Sequence, residues 1–108
     1  MNRLFVYGTL APGRPNEHVL KPLGGSWVKA YVKGKLFEKG WGAALGYPAI
    51  VLDDDGEEVE GLIFTSDKLE TYWEELDDFE GEAYERKLVL AELENGDEFD
   101  TYIYALRQ

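Results

Sequence analysis

The sequence has no cysteine and only one histidine. Without cysteine there is no disulfide, no thiolate ligand for zinc and no cysteine nucleophile, which fits a reducing compartment. The single histidine, His18, has no neighbours that would complete a catalytic triad, so we interpret it as a surface or cap residue. One histidine without thiolates also argues against a zinc site, and the sequence predicts no metal site.

Positive charge is also scarce. The chain has 11 basic and 22 acidic residues, a net charge of −11. Such a surface is repelled by nucleic acid and by anionic membranes, so we expect neither as a partner. No apolar run approaches the roughly 20 residues of a membrane span, and no signal peptide is recognisable. We therefore expect a cytoplasmic protein.

Apolar and aromatic residues are plentiful. The 108 residues are 44% hydrophobic and 14% aromatic, which predicts a single globular domain over residues 1–108. The pattern gives six or seven strands and one main helix, and most neighbouring strands are joined as hairpins. We therefore predict an α+β fold with a curved, mostly antiparallel sheet, and the aromatic content suits the interior of a small barrel.

Turn residues divide the chain into strands. Residues 3–7 form a buried strand, and residues 26–38 predict two strands with a break or bend near Gly34. The run 53–56, three aspartates and a glycine, predicts a hairpin turn between strands at 48–52 and 59–65. Asn95-Gly96 predicts a second hairpin, between strands 84–93 and 99–106.

The main helix is predicted after Ser66, which serves as its N-cap. Apolar residues then recur at helical spacing, and Gly81 ends the helix. The residues of this stripe are Leu69, Tyr72, Trp73, Leu76 and Phe79.

The first candidate site is the loop Tyr7-Gly8-Thr9-Leu10, which follows the buried strand at 3–7. Its backbone N–H groups and hydroxyl are able to hold a small anionic or carbonyl-bearing ligand. The alternative is an ordinary strand end, with Gly8 for the turn and Leu10 in the core. The further glycines and the lysine of a phosphate-binding loop are missing.

The second candidate site is the acidic end of the helix, which carries Asp77, Asp78 and Glu80. Carboxylates at a helix C-terminus oppose the helix dipole, so local stability does not explain all three. Glu80 lies between an apolar residue and the helix-ending Gly81. If it lines a pocket, desolvation raises its pKa and makes it a general base. The alternative is a solvated acidic helix end.

Tyr84 and Arg86 share one face of the next strand. Leu88 and Leu90 continue this face, so we predict that it is the buried one. A buried arginine needs a carboxylate partner. An ion pair with Glu80 or another acid is favoured, and a substrate carboxylate is the alternative.

Together these motifs resemble the γ-glutamylcyclotransferase-like family, which includes the γ-glutamylamine cyclotransferases and AIG2-like and YtfP-like proteins. The resemblance is carried by the Tyr-Gly-Thr-Leu loop, by Gly-Tyr-Pro-Ala at 46–49, and by Leu-Asp-Asp-Phe-Glu-Gly at 76–81 followed by Tyr84 and Arg86. It covers essentially the whole chain. It implies a small mixed, mostly antiparallel β-barrel with one main helix and short flanking helices.

The resemblance also implies a reaction. A γ-glutamyl amine or peptide cyclises to 5-oxoproline and releases its amine, with Glu80 as general base and acid. Tyr7, Gly8, Thr9 and Leu10 match the substrate-binding loop, and Tyr84 and Arg86 are further candidates for substrate binding. Because the attack is intramolecular, no nucleophile, metal or cofactor is needed.

Two other functions are compatible with the same residues. The first is a non-catalytic module that binds an amino-acid-like small molecule, with Glu80 holding its ammonium group. The second is an enzyme of another reaction type, such as an amide hydrolase.

Overall fold

The computed structural model describes residues 1–8, 10, 12–14, 16–38 and 47–107. Its one α-helix in these ranges, α1, spans Trp73–Glu80. Short 3-10 helices lie at Glu17–Val19, Lys21–Leu23 and Asp67–Thr71. The six strands are β1 (Arg3–Val6), β2 (Ser26–Phe37), β3 (Ala49–Leu52), β4 (Glu57–Thr65), β5 (Tyr84–Leu93) and β6 (Glu98–Leu106).

Five of the strands close a small barrel. The order is β2-β4-β1-β6-β5, and β5 returns to β2 through the pairs Ala30↔Leu93 and Tyr31↔Glu92. Strands β1 and β6 are parallel, and the other pairs between described residues are antiparallel. The sixth strand, β3, pairs with the end of β2. The predicted mixed, mostly antiparallel barrel with one main helix is confirmed.

The prediction of two strands separated at Gly34 was wrong, and so was the prediction that the strands at 48–52 and 59–65 form a hairpin. Strand β2 runs unbroken through Gly34, which pairs with both Leu52 of β3 and Glu57 of β4. Strands β3 and β4 are both antiparallel to β2, so they run in the same direction and do not form a hairpin in the described chain. The turn chemistry itself is present, because the Asp53 side chain accepts from the Asp55 N–H at 2.9 Å. A turn motif fixes local backbone conformation, but it does not fix the partner of the next strand.

The core has two parts. Inside the barrel, Phe5 packs with Ala30, Ile50 and Ile103. Outside it, α1 and the Asp67–Thr71 turn cover a second cluster. Strand β1 is buried on both faces because its residues alternate between the two clusters. The second cluster consists of Leu4, Val6, Leu10, Leu20, Phe64, Leu69, Leu76 and Tyr104.

The helical region begins after Ser66 and ends at Gly81, as predicted, but its first part, Asp67–Thr71, is a 3-10 helix and the α-helix itself begins only at Trp73. The Ser66 hydroxyl accepts from the Lys68 N–H at 3.2 Å. At the other end Gly81 has φ +79°, where a side chain is strained, and its N–H donates to the Asp77 carbonyl at 3.0 Å. The predicted apolar stripe included Phe79, but this side chain does not join the core and is 44% exposed.

The predicted buried face of β5 was also wrong. Leu88 and Leu90 are 60% and 52% exposed, whereas Val89 and Ala91 pack inside the barrel. From Leu88 to Ala91 both alternating sets of residues are apolar, so the period of two does not identify the inward face there. Closure of the barrel turns the smaller residues inward.

The close packing at Gly34, where β2 pairs with both β3 and β4, gives a stability prediction. A Cβ on Gly34 would lie 2.5 Å from the Val51 carbonyl oxygen. We expect Gly34→Ala to lower the free energy of unfolding by roughly 1–3 kcal/mol, because overpacking forces the backbone to shift. Urea denaturation measures the change. The matched control is Gly8→Ala, whose Cβ would have its nearest contact at 3.7 Å; an equal loss in both variants would contradict the prediction.

Candidate active site

A cavity of about 410 Å³ opens where the end of β1, the start of β3 and the end of α1 meet. Glu80 is the last residue of α1, so the stop at Gly81 places its carboxyl at this opening. The described residues that line the cavity are Leu4, Phe5, Val6, Tyr7, Gly8, Leu10, Asn16, Tyr47, Pro48, Phe79, Glu80, Ala83, Tyr84 and Tyr104.

Most of the residues predicted from the sequence meet in this cavity. Tyr7, Gly8, Leu10, Glu80 and Tyr84 all line it, although Glu80 and Tyr84 are at least 70 residues away from the loop along the chain. Two of the predicted residues are not placed there. Thr9 lies outside the described residues, and Arg86 is not among the lining residues.

The Glu80 carboxyl is half-buried and has no hydrogen bond or ion pair with any residue of the described chain. Burial raises its pKa from 4.5 to about 7. The cause is desolvation, which disfavours the charged form and is here not offset by a cation. A carboxyl with these properties is able to take up and return a proton near neutral pH.

Two tyrosine hydroxyls fix the wall that faces Glu80. The Tyr7 hydroxyl donates to the Tyr104 carbonyl at 2.5 Å and accepts from the Ile50 N–H at 3.2 Å. The Tyr84 hydroxyl donates to the Pro48 carbonyl at 2.6 Å. Burial, and then the nearby charge of Glu80, raises the pKa of Tyr84 to about 12. Both hydroxyl protons are therefore engaged by backbone, and the tyrosines present mainly their rings to a ligand.

In the loop after β1, Leu10 packs in the core and Gly8 faces the cavity. Leu10 is buried in the outer cluster, as the strand-end alternative expected. Gly8 faces the cavity beside Pro48, and its N–H hydrogen bonds to no other described residue. Backbone at Gly8 is thus available to a ligand oxygen.

Arg86 lies behind α1, where it pairs with Asp77 and not with Glu80. One guanidinium nitrogen is 3.5 Å from the Asp77 carboxylate. The Tyr104 hydroxyl donates to the same carboxylate at 2.7 Å. The guanidinium also lies over the rings of Trp73 and Tyr102, 5.0 and 4.8 Å from their centroids. The favoured interpretation of Arg86, an ion pair, matches this geometry.

Asp77 and Tyr104 were not recognised from the sequence as part of this arrangement. Asp77 precedes Glu80 by one helical turn, and Tyr104 lines the cavity while its hydroxyl binds Asp77. The available signal was the i, i+3 spacing of the two acids, which places them on neighbouring positions of one helix. The spacing does not reveal that a tyrosine from β6 contacts the first of them.

The described residues show neither a metal-binding cluster nor a membrane-spanning helix. Within the described ranges, no cluster of three or more histidine or acidic residues has a metal-binding arrangement. No described helix is long and apolar enough to cross a membrane. The cytoplasmic location stays a prediction.

Comparison with known proteins identifies the family. The model of the family described as gamma-glutamyl cyclotransferase, AIG2-like, matches residues 4–108. The chain belongs to this family. The resemblance seen in the motifs is thereby confirmed. Among curated proteins no sequence matches the chain.

Solved structures share the fold of this cyclotransferase-family chain. YkqA from Bacillus subtilis is 30% identical with a TM-score of 0.75, over 98% of this chain and 36% of YkqA. This chain thus spans about a third of that protein. An AIG2-like protein from Mus musculus is 27% identical with a TM-score of 0.74, over 97% of this chain and 76% of its own. A structure named gamma-glutamyl cyclotransferase is 19% identical with a TM-score of 0.73, over 99% of this chain and 67% of its own. At this identity the likeness shows the fold alone.

The contact between Tyr104 and Asp77 gives a second prediction. We expect Tyr104→Phe to lower the free energy of unfolding by about 1–2 kcal/mol, because it removes a hydrogen bond to a charged group. Thermal or urea unfolding measures the loss. Tyr72→Phe is the matched control, since its hydroxyl has no hydrogen bond to a described residue. Equal stability of the two variants would show that the contact contributes nothing.

The buried Glu80 carboxyl gives a third prediction. Its pKa is about 7 in the folded protein and 4.5 ordinarily, so the folded state binds more protons between these values. We therefore expect the stability of the wild type, relative to Glu80→Gln, to fall as the pH rises through this interval. Urea denaturation at a series of pH values tests the slope, and carbon NMR of the carboxyl tests the titration directly. A stability difference that does not change with pH would contradict the prediction.

Proposed function

We propose that the protein is a γ-glutamylcyclotransferase, which converts a γ-glutamyl amine or peptide to 5-oxoproline and the free amine. The observation that carries the proposal is the unpaired, half-buried Glu80 carboxyl in the same cavity as Gly8. Membership of the family supports the same reaction.

The first half of the reaction forms a carbon–nitrogen bond. The α-amine of the substrate attacks its own γ-carbonyl carbon, and Glu80 accepts the proton that the attacking nitrogen loses. Negative charge develops on the carbonyl oxygen, where the Gly8 N–H is available as a donor. Ring closure requires the glutamyl chain to be bent, and the apolar walls with the rings of Tyr7 and Tyr84 restrict it to that shape.

The second half breaks the original amide bond. Protonated Glu80 gives its proton to the leaving nitrogen, the tetrahedral intermediate collapses, and the products are 5-oxoproline and the amine. One carboxyl acts as base and then as acid, so its protonation state is restored. The reaction therefore uses one proton carrier, one hydrogen-bond donor to the developing oxyanion, and a cavity that keeps the glutamyl chain bent.

We assign roles to the predicted residues on this basis. Tyr7, Gly8, Leu10 and Tyr84 form the substrate cavity, and Glu80 is the catalytic residue. Arg86 pairs with Asp77 behind α1, and in this proposal it does not bind the substrate.

The fourth prediction concerns activity. We expect Glu80→Gln to lower the formation of 5-oxoproline from γ-glutamyl amines by about 10²–10⁴-fold, because the amide carries no proton between the two nitrogens. We expect the wild-type kcat/KM to rise as the pH increases through about 7, since the base must be ionised. Mass spectrometry of a panel of γ-glutamyl amines and dipeptides measures the product. Asp78→Asn, an exposed acid of the same helix, is the control.

Two results would contradict the proposal. One is the absence of 5-oxoproline from every substrate of the panel, and the other is full activity in Glu80→Gln. If a γ-glutamyl compound raised the melting temperature of the wild type without being consumed, the non-catalytic binding function would replace the enzyme.

A further inference from the structure

Two exposed aromatic side chains stand at the cavity beside Glu80. Phe79 and Tyr47 both line the cavity, yet they are 44% and 58% exposed. Neither ring packs against another aromatic ring in the described structure. The other end of the lining is buried, since Leu4, Phe5 and Val6 are at most 4% exposed. The cavity therefore has a buried apolar floor and an aromatic rim open to solvent.

The charge of the cavity is one-sided. Among its described lining residues, Glu80 is the only one with an ionisable acid or base, apart from the tyrosines. The glutamyl half of every substrate already carries an α-carboxylate, and no lysine, arginine or histidine in the described lining would pair with a second carboxylate on the amine half. The net charge of −11 would repel such a second carboxylate further.

The reaction fixes which half of the substrate meets the rim. The α-amine and the γ-carbonyl must lie at Glu80 and Gly8, and the glutamyl chain bends back between them. With the glutamyl half placed between Glu80 and Gly8, the part of the cavity left for the amine half is the rim formed by Phe79 and Tyr47. Apolar groups that pack on aromatic rings gain both from burial and from ring geometry.

We propose that the leaving group is an arylalkylamine without a carboxylate, and that its ring packs against Phe79 and Tyr47. This proposal rests on the cyclotransferase function and adds the chemical class of the amine. Phe79 is then a specificity residue, which explains why an aromatic side chain next to the catalytic Glu80 is left outside the core.

The experiment compares γ-glutamyl phenethylamine, γ-glutamyl ethylamine and γ-glutamyl phenylalanine as substrates. We expect kcat/KM for the phenethylamide to exceed that for each of the others by about tenfold, the size of one aromatic contact. In Phe79→Ala the ratio of phenethylamide to ethylamide should fall close to one. Phe99→Ala, which removes an exposed aromatic residue outside the cavity, should preserve the ratio.

Binding to Glu80→Gln tests the same inference without turnover. Calorimetry should show that this variant binds the phenethylamide about tenfold more tightly than the ethylamide, and that adding Phe79→Ala removes the difference. Equal binding or equal kcat/KM of the two amides would overturn the aromatic subsite, as would a preference that survives Phe79→Ala. These results differ from a failure of the proposed function, in which no substrate yields 5-oxoproline even if the binding preference is present.

Discussion

The shape of the cavity depends on the Tyr7 hydroxyl, which three strands share. Tyr7 follows β1, its hydroxyl donates to the Tyr104 carbonyl of β6, and it accepts from the Ile50 N–H of β3. Strand β3 pairs with β2 alone among the described strands, so this hydroxyl holds it against the opposite side of the barrel. The Tyr84 hydroxyl adds a second attachment at Pro48. The tyrosines thus determine where the cavity lies before they contact any ligand.

Glu80 occupies a position that costs free energy. It ends a helix, where the dipole opposes a negative charge. Its surroundings desolvate the carboxyl without a compensating donor. The fold keeps it there by fixing the residues around it. Gly81 ends the helix in a conformation that suits glycine, and Asp77 is attached to both Arg86 and Tyr104. A side chain held at a cost in this way is typical of functional sites.

Local chemistry was predictable from the sequence, and contacts between distant segments were predictable only in part. Ser66 and Gly81 bound the helix region because capping depends on near neighbours. The partner of β3 and the inward face of β5 depend on barrel closure, and a turn motif or a run of alternate leucines does not encode that closure. The meeting of Gly8 with Glu80 followed from the family resemblance, whereas the contact of Asp77 with Tyr104 had no local signal.

The pairing of Arg86 with Asp77 explains why Glu80 has no cation beside it. A cation within about 4–6 Å lowers the pKa of a carboxyl by roughly 1–3 units, so an arginine at Glu80 would keep it ionised and weakly basic. Arg86 pairs instead with Asp77, one helical turn earlier, and two aromatic rings hold it there. Glu80 therefore retains the effect of burial alone. Arg86, which the motif suggested for substrate binding, is thus held by Asp77 and two rings away from the cavity that Glu80 lines.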